Sequence, residues 1–156
     1  MNRLLGRRAV ARVSRTPGRT RAINFFRVND RFVLADLPGY GYARISKEKK
    51  AVWGPLIEGY LSGSPNLRGV VQLVDIRHEP TADDLAMLEL LARLQLPTVV
   101  VLTKADKLSR AAAAARHGEI ATALELAEEQ IIPFSAETGT GRDELAEAIE
   151  ELVAGA

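Results

Sequence analysis

Thr103-Lys104-Ala105-Asp106 follows directly on the apolar run Val99-Val100-Val101-Leu102, and its residue types suit one definite piece of chemistry. Guanine presents two donors along one edge, the ring N1–H and the exocyclic 2-amino group. A carboxylate at Asp106 can accept both as a pair. Adenine has an acceptor at N1 and no amino group beside it, so the same carboxylate rejects it. Thr103 and the methylene stem of Lys104 would brace the base. A T-K-x-D tetrapeptide after a strand is also, less often, the form of a polar loop with an incidental acid, so company adds to its weight.

Three further segments supply that company. Asp36-Leu37-Pro38-Gly39 ends a β-prone run. In a nucleoside-triphosphate site an aspartate here reaches magnesium through water, and the glycine N–H faces the terminal phosphate. Thr16-Pro17-Gly18-Arg19-Thr20 lies before the first such run, in a loop that proline and glycine keep irregular. A threonine hydroxyl there can ligate magnesium while its N–H meets the γ-phosphate. Thr20 is the better candidate, because Arg19 beside it can also reach phosphate. Ser135-Ala136 would offer backbone N–H to the guanine O6. Each signal is weak alone, but they occur in the order threonine loop, D-x-P-G, T-K-x-D, S-A. The last three each stand where a strand ends, the edge at which open α/β sheets bind ligands.

The elements that must position these loops are legible as an alternation of strand-like and helix-like runs, which is the pattern of an α/β sheet. Residues 23–28 and 31–36 read as antiparallel strands joined by a two-residue Asn29-Asp30 turn. Residues 69–75 and 98–102 are Val-rich and read as parallel strands buried on both faces, and residues 130–134 as the last strand. Residues 46–61 read as a helix with Val52, Leu56, Ile57, Tyr60 and Leu61 on one face and a kink expected at Pro55. Residues 81–95 read as a helix capped by Thr81 with Asp84 as capping-box partner, and with Leu85, Leu88, Leu91 and Ala92 turned inward. Residues 109–129, including five consecutive alanines, and residues 142–153, with Leu145, Ala148, Ile149 and Leu152 on the buried stripe, complete the set. Residues 1–6 read as the tail of a further helix.

Composition sets outer bounds. The chain has 156 residues, 47% hydrophobic and 26% charged, the profile of one soluble globular domain. No apolar run approaches the ~20 residues of a membrane-spanning helix, so no membrane partner is expected. There is no cysteine, which excludes disulfides and thiolate chemistry and suits a reducing, cytoplasmic setting. The two histidines, His78 and His117, are too few for a histidine-based metal site. The net charge of +1 conceals eight arginines and no acid in residues 1–29, against a balance of −7 in the rest. Such an end suits contact with phosphate, on a nucleotide or a nucleic-acid backbone, or is simply a solvated charged face. A cleaved transit peptide is set aside, because the arginine-rich stretch runs unbroken into Thr16–Thr20.

The motif order matches translation-factor-like and Ras-like GTPases, and particular strings narrow it. TPGRT (16–20), INFF (23–26), DLPGYGYA (36–43), W-x-x-L-I-E-x-Y-L (53–61), D-I-R-H (75–78), VVLTKADKL (100–108) and PFSA (133–136) resemble the bacterial EngB family, also called YihA or YsxC. The resemblance spans nearly the whole chain. It implies a P-loop NTPase-like α/β fold of the Ras-like, TrmE-Era-EngA-EngB type, with a mostly parallel sheet and one antiparallel hairpin strand. It also implies binding of GTP or GDP with Mg2+, slow GTP hydrolysis, a role in assembling the large ribosomal subunit, and involvement in cell division and septation. The partners implied are guanine nucleotide and the large subunit or its rRNA, with a monomer expected. The nucleotide contacts implied are Gly18, Arg19, Thr20, Arg21 and Ala22; Asp36, Leu37, Pro38 and Gly39; Thr103, Lys104, Ala105 and Asp106; and Phe134, Ser135 and Ala136. Thr20 and Asp36 are the implied metal-side residues. Tyr40 follows D-L-P-G, so no residue is named as a catalytic base.

Two departures from the family pattern stand out. Arg21 occupies the position after TPGRT where relatives usually carry glutamine. No G-x-x-x-x-G-K-S loop occurs in the sequence, although such a loop normally wraps the α- and β-phosphates and supplies a lysine and a magnesium-ligating serine. In the family that loop and a first strand precede a helix whose end resembles Met1–Leu5. The expectation is therefore a single G domain, residues 1–156, incomplete at its start through a start codon placed too late, with a gap where the strand would lie. Three readings stand at this point: an EngB-like GTPase shortened in this way, a non-catalytic ribosome- or rRNA-binding module, and a fragment that does not fold stably.

Overall fold

In a computed structural model, residues 12–14, 23–37 and 47–155 are described, with side chains for 23–37 and 54–155. The chain divides into two compact units, one of residues 68–155 and one of the described residues up to 67.

In the unit before residue 68, β1 (Arg12–Ser14), β2 (Asn24–Val28) and β3 (Phe32–Asp36) form an antiparallel sheet in that order. The β1 strand has no counterpart in the sequence reading. Pairing of Val28 with Phe32 leaves three residues in the hairpin connection rather than the two expected. Asn29 and Asp30 both adopt positive φ, at 48° and 56°. The Arg31 N–H closes the turn on the Val28 carbonyl at 2.9 Å. Those dihedrals match the right-handed twist of a hairpin, and Asn and Asp tolerate them best among non-glycine residues. Helix α1 (Lys47–Gly63) runs on through Pro55, and it buries Ile57 and Leu61 while Leu56 is exposed. The Tyr60 ring lies tilted against Phe25 with centroids 6.1 Å apart.

In the unit from residue 68, β4 (Val70–Asp75), β5 (Thr98–Thr103) and β6 (Ile131–Pro133) form a parallel sheet. Its register runs Val70↔Thr98 to Asp75↔Thr103 and Val100↔Ile131 to Leu102↔Pro133. Parallel strands need crossovers. Helix α2 (Ala82–Arg93) joins β4 to β5, and α3 (Arg110–Ala123) joins β5 to β6. Helix α4 (Arg142–Ala154) follows β6 and buries Leu145 and Ile149. The core unites Val74 and Ile76 with Val100, Leu102 and Ile131 and with Ile120, Ala121 and Leu124 of α3 and its end.

Three further expectations change. First, β4 is not buried on both faces: side chains alternate, Gln72, Val74 and Ile76 are buried, and Leu73 between them is 59% exposed. Second, the inward stripe of α2 is Asp84, Leu88 and Leu91, while Leu85 and Ala92 face outward. The capping box explains the rotation. The Asp84 carboxylate accepts the Thr81 N–H and hydroxyl, both at 2.8 Å, so the acid is satisfied where an apolar side chain would otherwise sit. Third, the helix read over residues 109–129 stops at Ala123. Glu125 takes a positive φ of 55°, and a short 3-10 turn at Glu128–Gln130 leads into β6.

Candidate functional site: an oriented carboxylate between two strand-end loops

Parallel strands discharge their C-terminal loops on one edge, and in the unit from residue 68 three such loops meet. Beyond β5 the chain turns at Lys104, whose φ of 64° and ψ of 32° are left-handed. A non-glycine residue held there costs about 1 kcal/mol or more, so the surroundings must impose it. They do so through backbone bonds. The Thr103 carbonyl accepts the Ile76 N–H at 3.1 Å, the Ala105 N–H donates to the Phe134 carbonyl at 3.1 Å, and the Phe134 N–H donates to the Leu102 carbonyl at 2.8 Å. The Thr103 hydroxyl donates to the Val74 carbonyl at 3.1 Å, which makes Thr103 a tie between strands.

Asp106 sits in the single 3-10 turn that follows, its side chain 11% exposed. The Ser135 hydroxyl donates to Asp106 Oδ1 at 2.6 Å, a charge-assisted bond. Ser135 is fully buried, and its oxygen also accepts the backbone N–H of Glu137 and of Thr138, each at 3.1 Å. Two fixed donors therefore hold the hydroxyl and leave its one proton aimed at the carboxylate. Lys107 Nζ meets Oδ2 at 3.0 Å. The Ser135 bond, and after it the Lys107 ammonium, hold the Asp106 carboxyl below the usual carboxylate range. Each oxygen keeps acceptor capacity after these bonds, so an ionised carboxylate with two acceptors is presented to a ligand. That acceptor pair fits an edge bearing two neighbouring N–H groups.

The loop after β6 is shaped by Gly141, at φ 72°, where a Cβ would lie 2.0 Å from the Pro133 carbonyl oxygen. Only glycine allows α4 to begin so close to the end of β6. The Ser135 N–H is engaged on the Thr140 carbonyl at 3.0 Å. Of the Ser135-Ala136 pair expected to offer N–H groups, the exposed Ala136 is thus the donor left to a ligand. Phe134 contributes through its backbone, its side chain being buried.

Of the sequence-predicted residues, Thr103, Lys104, Ala105, Asp106, Phe134, Ser135 and Ala136 are brought together. Asp36 closes β3 in the other unit and is exposed, with Leu37 half-buried after it. Gly18, Arg19, Thr20, Arg21, Ala22, Pro38 and Gly39 lie outside the described residues, as does the helix tail read at residues 1–6. Among the described residues no group of three acidic or histidine side chains converges as a metal cage would require. His117 instead meets the Glu128 carbonyl at 3.2 Å. No helix among the described residues is long and apolar enough to cross a membrane. The sequence reading passed over Asp75 and Lys107 as site residues, although both lie inside strings it had singled out.

Comparison with known proteins decides the family. A family described as "50S ribosome-binding GTPase" matches residues 1–104. A "Probable GTP-binding protein EngB" of Gemmatimonas aurantiaca is 61% identical over 154 residues, covering 99% of this chain and 76% of that protein. The chain belongs to the EngB family. A second EngB relative, from Syntrophomonas wolfei, is 48% identical over 98% of this chain and 79% of its own length. Among solved structures, that of a probable GTP-binding protein EngB superposes with a TM-score of 0.79 at 22% identity, over 99% of this chain and 90% of that one. Era, solved in complex with MgGDPNP and nucleotides 1506–1542 of 16S ribosomal RNA, superposes at 0.68 and 23% identity, over 97% of this chain and 50% of Era. Those identities speak for the fold alone, which is the α/β P-loop GTPase fold. In this member of the family, the loops after β5 and β6 bring the Asp106 carboxylate together with Ser135 and the Phe134 backbone.

Proposed function

We propose that this EngB protein is a GTPase of large ribosomal subunit assembly, and that Asp106 reads guanine. The observation that carries the reading is the 2.6 Å bond by which buried Ser135 orients the Asp106 carboxylate. A carboxylate fixed before the ligand arrives loses little freedom on binding, which favours affinity and selectivity together. Ala136 N–H is suited to the guanine O6, and the Lys104 stem to the base face. Asp36, Gly39 and Thr20 belong to the phosphate and magnesium side. The metal would neutralise phosphate charge when bound, with Thr20 and Asp36 as the residues to hold it. Tyr40 offers no group to accept a proton from water, so hydrolysis is slow unless a partner aligns the reactants. A ribosomal partner is supported by the description of the matched family, together with the arginine-rich start of the chain. On this reading residues 1–156 belong to one G domain of a cytoplasmic protein that takes part in normal division.

Two measurements on the full-length protein test the proposal. Titration with fluorescent GDP, GTP and ATP should show guanine nucleotides bound and ATP excluded. Co-sedimentation with large subunits should be stronger with a non-hydrolysable GTP analogue than with GDP, and should weaken steeply with salt. Equal binding of ATP would defeat the guanine assignment, and sedimentation indifferent to nucleotide would defeat the assembly role.

A further inference from the structure

Asp75 and Arg77 lie in the Asp75-Ile76-Arg77-His78 segment at the end of β4, and neither is needed to read a base. Yet they form the most heavily bonded ion group of this unit among the described residues. Arg77 Nη2 donates to Asp75 Oδ2 at 2.7 Å, Arg77 Nε reaches both carboxylate oxygens at 2.9 and 3.3 Å, and the Arg77 backbone N–H donates to Oδ1 at 3.1 Å. On the same carboxylate, Lys104 Nζ donates to Oδ2 at 2.8 Å. Lys104 is the left-handed residue of the loop that carries Asp106. Its backbone is bracketed by the Thr103 and Ala105 bonds described above, and Asp75 fixes the other end of its side chain.

We propose that Asp75 is a positioning residue for nucleotide binding: clamped by Arg77, it anchors the Lys104 ammonium so that the lysine stem lies fixed beside Asp106. The inference rests on the reading that this loop binds guanine. The chemistry is that of a lever held at both ends. Lysine has four rotatable stem bonds and loses much freedom when its stem must lie against a base. An ion pair that immobilises the ammonium in the free protein removes that loss from the binding step. Arg77 matters because its planar fork engages both carboxylate oxygens and so fixes the direction in which Asp75 faces Lys104. Asp75 is then expected to govern how long any guanine nucleotide stays, while Asp106 governs which base is accepted.

The test is a double-mutant cycle read as the release rate of fluorescent GDP from the full-length protein. Asp75→Asn keeps the shape of the side chain and removes its charge, and Lys104→Met keeps the stem and removes the ammonium. Each change should accelerate GDP release about threefold to fivefold, the scale of a half-exposed ion pair. The double variant should release no faster than either single one, because both remove the same contact. The preference for guanine over xanthine should hold in all three. Thermal melting in parallel confirms that each variant is folded. Release from Asp75→Asn at the wild-type rate overturns the inference, as does equal further acceleration when Asp75→Asn is added to Lys104→Met. Should the wild-type protein bind GDP and Asp75→Asn change nothing, this inference alone falls. Failure of the wild type to bind GDP removes the guanine reading as well.

Discussion

Asp36 closes β3 in the antiparallel sheet, and Asp106 stands three residues beyond β5 in the parallel one, yet the two carboxylates are treated differently. Asp36 is exposed at a strand end whose pairing partner is Asn24. Asp106 is 11% exposed, takes a hydroxyl bond at 2.6 Å, and belongs to a loop tied by backbone bonds to Phe134. The difference teaches where each chemistry needs rigidity. The proposed reading of a base requires two acceptors in a fixed plane, and the parallel sheet supplies loops bonded to one another. A magnesium ion that keeps its waters can be met by an exposed acid at some distance, and the proposed role of Asp36 asks for no more.

Substitutions can break or sharpen that contrast. The largest effect is expected from Asp106→Asn, which replaces two acceptors by one acceptor and one amide. GTP affinity should fall about a hundredfold, and xanthine nucleotides, whose edge carries an acceptor in place of the 2-amino group, should gain; competition titration checks both. Ser135→Ala should come next. It leaves the carboxylate in place without its orienting donor, so fluorescent GDP should bind about tenfold more weakly. If instead affinity were unchanged, pre-orientation of Asp106 would not matter. Thr81→Ala lies in the same unit but away from the loops. It should cost about 1 kcal/mol in urea unfolding through loss of the capping box and leave nucleotide affinity as it is. Smallest of all is Arg27→Ala in the hairpin sheet. Its pair with Asp30 spans 3.5 Å between exposed side chains, and removing it should change stability by about 0.5 kcal/mol or less.

Much of this contrast was readable from residue types. The Val-rich runs marked β4 and β5, because parallel buried strands select β-branched side chains. Thr81 and Asp84 announced their capping box at the spacing that box demands. The motif order places Asp106 and Ser135 at strand ends, as the fold does. What escaped the sequence was settled by contacts between distant segments. Nothing local marks Leu73 as the exposed side of β4, or Leu85 as outward once Asp84 takes the inner face. The alanine run concealed the end of α3, because alanine favours helix wherever it stands, and the stop comes from Glu125 turning left-handed toward β6. Residue types do not announce that the Ser135 N–H is taken by the Thr140 carbonyl. Asp75 was visible only as part of a resemblance, since its partner Lys104 lies 29 residues away.

The central claim is that one oriented carboxylate accepts two neighbouring donors, and a change in the ligand tests it without disturbing the protein. Inosine diphosphate keeps the N1–H of GDP and lacks the 2-amino group. Titrated in competition with GDP against the unmodified full-length protein, it should bind about tenfold or more weakly, the loss of one charge-assisted hydrogen bond. Equal affinity for the two would mean that Asp106 does not accept the amino group, and the assignment of the base site would be wrong.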